Sequence, residues 1–247
     1  MRLIQILIIG ISIFVHAQDS EDLLWNNLYP SLISNFDTTV IYSSLTILNT
    51  EIGLHERELG TILKLKNTVF GSSITQYGYK NFKESKIKIC IAQPLSKSIH
   101  IGLNINYHHL YITDSPNFNA ISFDLGAGIK REKVEIYLFL QNPLNAAYLQ
   151  NDIESRFTLC PVYWWNKNLK SELRLTESVH SGISIHHKLS YNYQNLVQLS
   201  IIQGLKPFEY GINLGYKKKK FQFFSQYYKY SYSHSTSFLI IYTLGDG

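Results

Sequence analysis

The stretch IHIGLNINYHHLYI (99–112), the link TDSPNFNA (113–120) and the run ISFDLGAGIKREKVEIYLFLQ (121–141) decide the fold. In the first part Ile99, Ile101, Leu103, Ile105, Tyr107 and Tyr111 recur at every second position, with His100, Gly102, Asn104, Asn106 and His108 between them. In the last, Ile121, Phe123, Leu125, Ala127 and Ile129 alternate with Ser122, Asp124, Gly126, Gly128 and Lys130. After a tight turn at 131–133 the pattern resumes as Val134, Ile136, Leu138 and Leu140. A period of two is a strand, because successive side chains point to opposite faces of a sheet. Three such strands in succession form an antiparallel meander with one oily and one wet face.

The same design extends outward in both directions. Strands are predicted at 38–48, 58–66, 68–78, 85–94, 99–112, 121–131, 134–142, 156–165, 169–177, 181–191, 196–204, 208–216, 221–231 and 236–244, each near the length of a tilted membrane strand. That is fourteen, with twelve as the alternative count, since the first three and the eighth are less regular. Odd-to-even links read as long and even-to-odd links as short, the 178–180 link excepted, as in a barrel with both chain ends on one side of a membrane. The oily face carries scarcely a charge: Ile183, Ile185 and Leu189 stand opposite Gly182, Ser184, His186 and Lys188. Tyr107, Tyr111, Tyr191, Tyr193, Tyr227, Tyr230 and Tyr242 gather at strand ends, where aromatic rings suit lipid headgroups. The predicted fold is all-β, a closed antiparallel up-and-down transmembrane barrel surrounded by outer-membrane lipid. The competing reading is a β protein whose oily face meets a second sheet; closure removes strand edges more simply.

Residues 1–17 read as a secretory signal peptide, with Arg2, an apolar run from Leu3 to Val15 and cleavage after Ala17. The run is shorter than the roughly 20 residues a spanning helix needs. Residues 18–37 form a lead-in: DSEDLLWNNLYPSLISN (19–35) lacks the strand period and holds Trp25, Asn26, Tyr29 and Pro30, taken as a ligand or plug region. Residues 38–247 are the barrel. The net charge of +5 comes without a basic helix or zinc-finger spacing, so no nucleic-acid partner is indicated. Cys90 and Cys160, the only cysteines, are expected as buried free thiols, and no cofactor is indicated.

Few residues suggest chemistry. His234 with Ser235 and Ser237 resembles the base and nucleophile pairing of outer-membrane lipid hydrolases, but no acidic residue can be assigned to orient the histidine, and a Ser/Thr-rich loop entering the last strand accounts for the same residues. His108 and His109 are adjacent in a strand and face opposite ways, as do His186 and His187, which argues against a shared metal. Lys217 to Lys220 read as a solvated turn. The glycines of GAG (126–128) have no helix after them, so they are no phosphate loop; they bend the wall or leave room inside the barrel.

The runs GYKNFKESKIKICIAQPLSKSIHIGLNINYHHLYI (78–112), FDLGAGIKREKVEIYLFLQNPLN (123–145) and SHSTSFLIIYTL (233–244) resemble a group of Bacteroidota outer-membrane barrels. The matching positions are Gly78, Tyr79, Phe82 and Glu84; Gly102, Leu103 and Tyr107; Asn142 and Pro143; and Ser233 and His234. That group is similar to FadL-type fatty-acid transporters and to the PorV and PorQ proteins of type IX secretion. The resemblance implies a fourteen-stranded barrel with an N-terminal segment lodged in its mouth or lumen. Two non-enzymatic functions follow as expectations: a scaffold with protein partners in an outer-membrane secretion or surface-protein complex, or a conduit for small or hydrophobic ligands gated by residues 25–35. A lipid hydrolase is the minor alternative.

Overall fold

The computed structural model describes residues 29–36, 38–49, 53–148, 151–194, 196–230 and 233–244. The signal-peptide reading, Trp25 and Asn26 lie outside the described residues. Fourteen strands form one closed antiparallel barrel: β1 (Thr39–Asn49), β2 (Leu54–Leu65), β3 (Thr68–Tyr79), β4 (Phe82–Pro94), β5 (Ile99–Ile112), β6 (Phe118–Arg131), β7 (Val134–Gln141), β8 (Arg156–Asn166), β9 (Leu169–Ser178), β10 (Gly182–Tyr193), β11 (Val197–Lys206), β12 (Phe208–Lys218), β13 (Phe221–Lys229) and β14 (His234–Leu244). Each strand pairs with its neighbours in the chain, and β1 closes the ring on β14 from Thr39↔Leu244 to Ile47↔Thr236. Closure leaves no edge strand to template aggregation.

The two faces are inverted relative to a water-soluble sheet. Along β5, Ile105 is 44 % exposed while its neighbour Asn106 is fully buried. Along β7, Val134, Ile136, Leu138 and Leu140 are exposed and Glu135, Tyr137 and Phe139 buried. An apolar face turned outward around the whole cylinder is stable only against hydrocarbon, because in water every such side chain forfeits about 1.5–3 kcal/mol of burial. No second sheet covers this face among the described residues.

The links correct the expected alternation of long and short. Lys80 and Asn81 alone join β3 to β4, and Pro207 alone joins β11 to β12. Strands predicted to begin at residues 58, 85 and 121 start instead at Leu54, Phe82 and Phe118, because pairing continues to the turn regardless of whether the side chains still alternate. Among the strand links with described residues, 142–155 is the long one, and it carries a small hairpin, Ala147–Tyr148 against Asn151–Asp152. The two ends of the barrel are thus a turn end, where β1 starts and β14 finishes, and a loop end bearing this hairpin.

Candidate functional site

The lumen is occupied from the turn end by residues 29–36, which include a single turn of 3₁₀ helix, Leu32–Asn35. Ile33 and Phe36 are buried in a collar of inward side chains that includes Val40, Tyr42, Ile62, Val69, Phe224 and Ile241. This packing explains the irregular pattern of the first strands: where the plug sits, the lumen face is apolar too, and the contrast between faces disappears. β8 is irregular for the same reason, with Cys160 and Val162 packed with Tyr137 and Phe139 against Tyr29 and Leu32. Both cysteines are buried free thiols.

Two inward glycines seat the plug. A Cβ on Gly102 would lie 2.4 Å from the Pro30 carbonyl carbon, and one on Gly126 would lie 2.8 Å from the Ser31 nitrogen. Pro30 therefore reaches the wall only because two adjacent strands lack side chains there. The expectation that the GAG glycines leave room inside the barrel holds for Gly126. Gly128 serves differently: the Tyr137 ring lies against it, as Tyr42 does on Gly60, Phe224 on Gly215 and Tyr228 on Gly211. In each pairing an aromatic ring occupies the space that a Cβ would need.

Polar latches supplement the seat. The Ser34 hydroxyl donates to the Ser31 carbonyl at 2.7 Å, so its 2.8 Å contact with His100 Nδ1 requires the imidazole to donate. Tyr29 stacks on Phe139 at 4.0 Å between ring centroids, and the Arg174 guanidinium lies over the tyrosine ring at 5.8 Å. Arg174 is itself held by Glu172 at 2.9 Å.

Above the plug the interior is polar and cross-linked. Asp124 accepts hydrogen bonds from Asn104 and Asn106, at 3.1 and 2.9 Å, and His108 lies 2.8 Å from Ser122. The loop-end hairpin folds onto this layer: Tyr148 donates to Glu84 at 3.0 Å and meets His108 edge-on. Asn142, at φ +48°, grips both arms of the link, accepting from the Ala146 amide at 2.8 Å and donating to the Ala146 and Ile153 carbonyls at 3.1 and 2.6 Å. Glu154 accepts from Ser178, Ser181 and Arg156. Burial raises the Glu154 pKa, but the Ser178 and Arg156 hydrogen bonds outweigh it and hold the carboxyl below its ordinary range.

These contacts make two predictions. Asn142→Ala removes three hydrogen bonds at about 1 kcal/mol each, so proteolytic nicking of 143–155 should rise on the order of a hundredfold. Asn142→Gly tolerates the left-handed backbone and separates the loss of bonds from strain. The Glu154 clamp has a depressed folded pKa, so its contribution is present above the ordinary carboxyl titration near pH 4 and is lost as pH falls through the lowered folded value. The protection of amides 179–181, taken as exchange relative to the intrinsic rate at each pH, should fall below that range and stay constant above it.

Between plug and wall lies a vestibule of about 720 Å³ whose lining reaches Leu48, Pro207 and Tyr230 near the loop end. Tyr29 reaches its floor, and Arg174, His186, Glu209, Tyr228 and Tyr230 line one side. Tyr228 donates to Glu209 at 3.0 Å and His186 lies 3.3 Å from the same oxygen. A smaller chamber of about 340 Å³ under the hairpin shares Gln141 and Arg156 with it.

The predicted site residues divide. Tyr29 and Pro30 are in the plug. Gly102 seats it, Glu84 and Asn142 hold the hairpin, and Pro143 is exposed on the link. Gly78 (φ +135°), Tyr79 and Phe82 build a tight turn in which a Cβ on Gly78 would lie 2.1 Å from the Phe82 carbonyl oxygen. Tyr107 faces outward and donates to Asn119 at 2.8 Å. Ser233 accepts the Tyr230 amide. The hydrolase pairing is corrected: His234 is exposed on the outer face and stacks on Tyr227, while Ser235 and Ser237 are buried on the lumen side. Adjacent strand residues cannot share a site. Tyr230 is corrected too, for it stands beside Tyr228 (4.8 Å) in the vestibule and not in the lipid belt. The vestibule and the glycine and aromatic pairs were not anticipated; inward glycines recurring at period two were the available signal.

No family model matches the chain, and no curated protein matches it. Solved structures do. The toluene transporter TbuX of Ralstonia pickettii superposes with a TM-score of 0.65 at 9 % identity over 87 % of this chain and 92 % of that one. The monoaromatic hydrocarbon channel CymD gives 0.65 at 9 % identity over 96 % and 95 %, and the KdgM porin 0.52 at 10 % over 84 % and 100 %. The fold is that of an outer-membrane β-barrel. These neighbours are porins and transport channels, and at such identities the likeness is one of fold.

Proposed function

We propose that this chain is a plugged outer-membrane channel, a FadL-like conduit that takes a small ligand into the loop-end vestibule and passes it when residues 29–36 withdraw. The observation carrying this reading is the seat: Pro30 and Ser31 lie on two side-chain-free positions of adjacent strands, directly beneath a chamber whose floor is Tyr29. A segment built in permanently would need no such fitted socket and no separate layer of polar latches. Similarity in fold to two toluene transporters and a monoaromatic hydrocarbon channel adds support for transport. Planar-bilayer recording tests it. The purified chain should show brief, ligand-dependent openings, and silence both with the plug in place and with residues 18–36 deleted would refute the conduit.

A scaffold role in a PorV-like secretion or surface-protein complex is the second reading, favoured by the filled lumen and the tight links. It predicts that a defined outer-membrane protein co-purifies with the chain while both forms remain silent in the bilayer.

A further inference from the structure

The two ends of the barrel differ in charge. At the turn end, the links and the strand residues that bound them carry Lys66, Lys97, Arg131, Lys133, Lys167 and the run Lys218–Lys220, against a single carboxylate, Glu132. At the loop end the corresponding described positions mix the signs: Lys80, Arg156, Lys206 and Lys229 stand with Asp114, Asp152 and Glu154, and Arg156 is already paired with Glu154. The turn-end cations other than Lys220 are exposed, and among the described residues none of them makes an ion pair. Lys130, one residue further into the wall, shows the contrast, for Glu135 holds it at 2.8 Å.

The surroundings of these cations select what they meet. Apolar side chains stay exposed up to the turns themselves: Leu65 precedes Lys66, Leu95 lies two residues before Lys97, and Trp165 two before Lys167. Phe221 follows Lys220 and meets Tyr242 at 4.7 Å between ring centroids, and Tyr163 meets Trp165 at 5.1 Å. Apolar groups so placed are costly in water, and aromatic rings settle at the level of lipid headgroups, so the membrane boundary at this end reaches the turns. A lysine there lays its stem along the apolar wall and holds its ammonium among the lipid phosphates. The cations also occupy every turn at this end except 194–196, so they encircle the cylinder. A soluble partner would meet one sector of such a ring, whereas the surrounding leaflet meets all of it.

We propose that the turn end is a docking collar for anionic phospholipid headgroups, which its exposed lysines and arginine draw to the barrel in preference to zwitterionic ones. One cation near an anionic membrane surface favours binding roughly fivefold, and the collar sets several around the wall. The collar is independent of the conduit reading and holds whether or not the lumen opens.

The test is electron paramagnetic resonance of the full chain reconstituted in phosphatidylcholine vesicles with a trace of lipid spin-labelled on its acyl chain. The motionally restricted fraction reports which lipid occupies the barrel surface. Spin-labelled phosphatidylglycerol should be selected over spin-labelled phosphatidylcholine by roughly three- to fivefold at low salt, and about 1 M salt should remove most of that preference. Lys97→Gln combined with Lys167→Gln and Lys218→Gln should at least halve it; all three side chains are exposed, so the fold is kept. Lys80→Gln combined with Lys83→Gln and Lys229→Gln makes the same change in net charge near the loop end and should leave the preference intact. Parity of the two lipids in the parent, or equal losses in the two triple variants, would overturn the collar. Parity together with capture of poly-L-glutamate by the same vesicles would also overturn it, assigning the charge to an acidic protein instead.

Discussion

Gly102→Val, and more strongly Gly102→Val with Gly126→Val, should convert a closed barrel into one that conducts continuously. The nearest atoms to a new Cβ at residue 102 belong to the Pro30 main chain at 2.4 Å, well inside contact distance, and a proline cannot rotate them away. The strand itself accepts valine readily, so the strain falls on the plug. Overpacking of this kind costs about 1–3 kcal/mol per site, which moves a two-state equilibrium by roughly five- to 150-fold. Ion current through planar bilayers should rise by that factor for each single variant. Ile105→Val, on the lipid face, serves as the control and should stay closed. Open and closed currents indistinguishable from the parent in all variants would mean that the segment at 29–36 does not block the path.

Glu172→Gln should be the most destabilising single substitution in the barrel wall. Glu172 is 3 % exposed, pairs with Arg174 and accepts the Cys160 thiol at 3.3 Å. Lys170 and Lys188, both buried, share its field. Removing this charge breaks the buried pair with Arg174 and takes from Lys170 and Lys188 a carboxylate that shares their field, and breaking a buried pair costs about 3–5 kcal/mol. The urea midpoint for folding into lipid vesicles should fall accordingly, whereas Glu132→Gln in an exposed turn should change stability by less than about 0.5 kcal/mol. Because Arg174 also lies over Tyr29, the Glu172 variant should loosen the plug and raise bilayer current in the folded fraction.

What was legible in the sequence follows from what generates a period. In β5, β6 and β7 the outer face meets hydrocarbon and the inner face meets polar groups, so alternation is complete and the strands were located to within a few residues. Where the inner face meets the plug, as at Val40, Ile62, Val69 and Leu239, both faces are apolar and the signal fades. Strand ends were misplaced because main-chain pairing runs on past the last alternating side chain, turning expected loops into turns such as Lys80–Asn81. Residues 29–30 were singled out for lacking the period, yet their seat on Gly102 and Gly126 joins positions far apart in the chain and had no local signature. The vestibule was hidden for the same reason: Ser44, Arg174, Tyr228 and Ser237 come from distant strands and meet only after closure.

The central claim is that lipid covers the outward face of a closed cylinder whose interior is filled by its own chain. Nitroxide labels placed singly at residue 101 and at residues 103 to 108 of β5 in a bilayer, with Cys90 and Cys160 replaced by serine, test it most directly. Collision with membrane-dissolved oxygen should peak at 101, 103, 105 and 107 and drop at the positions between, which should also be shielded from a water-soluble nickel chelate by the plug and the polar layer above it. Nickel access at 101, 103, 105 and 107, or a profile without the two-residue period, would contradict the barrel and everything built on it.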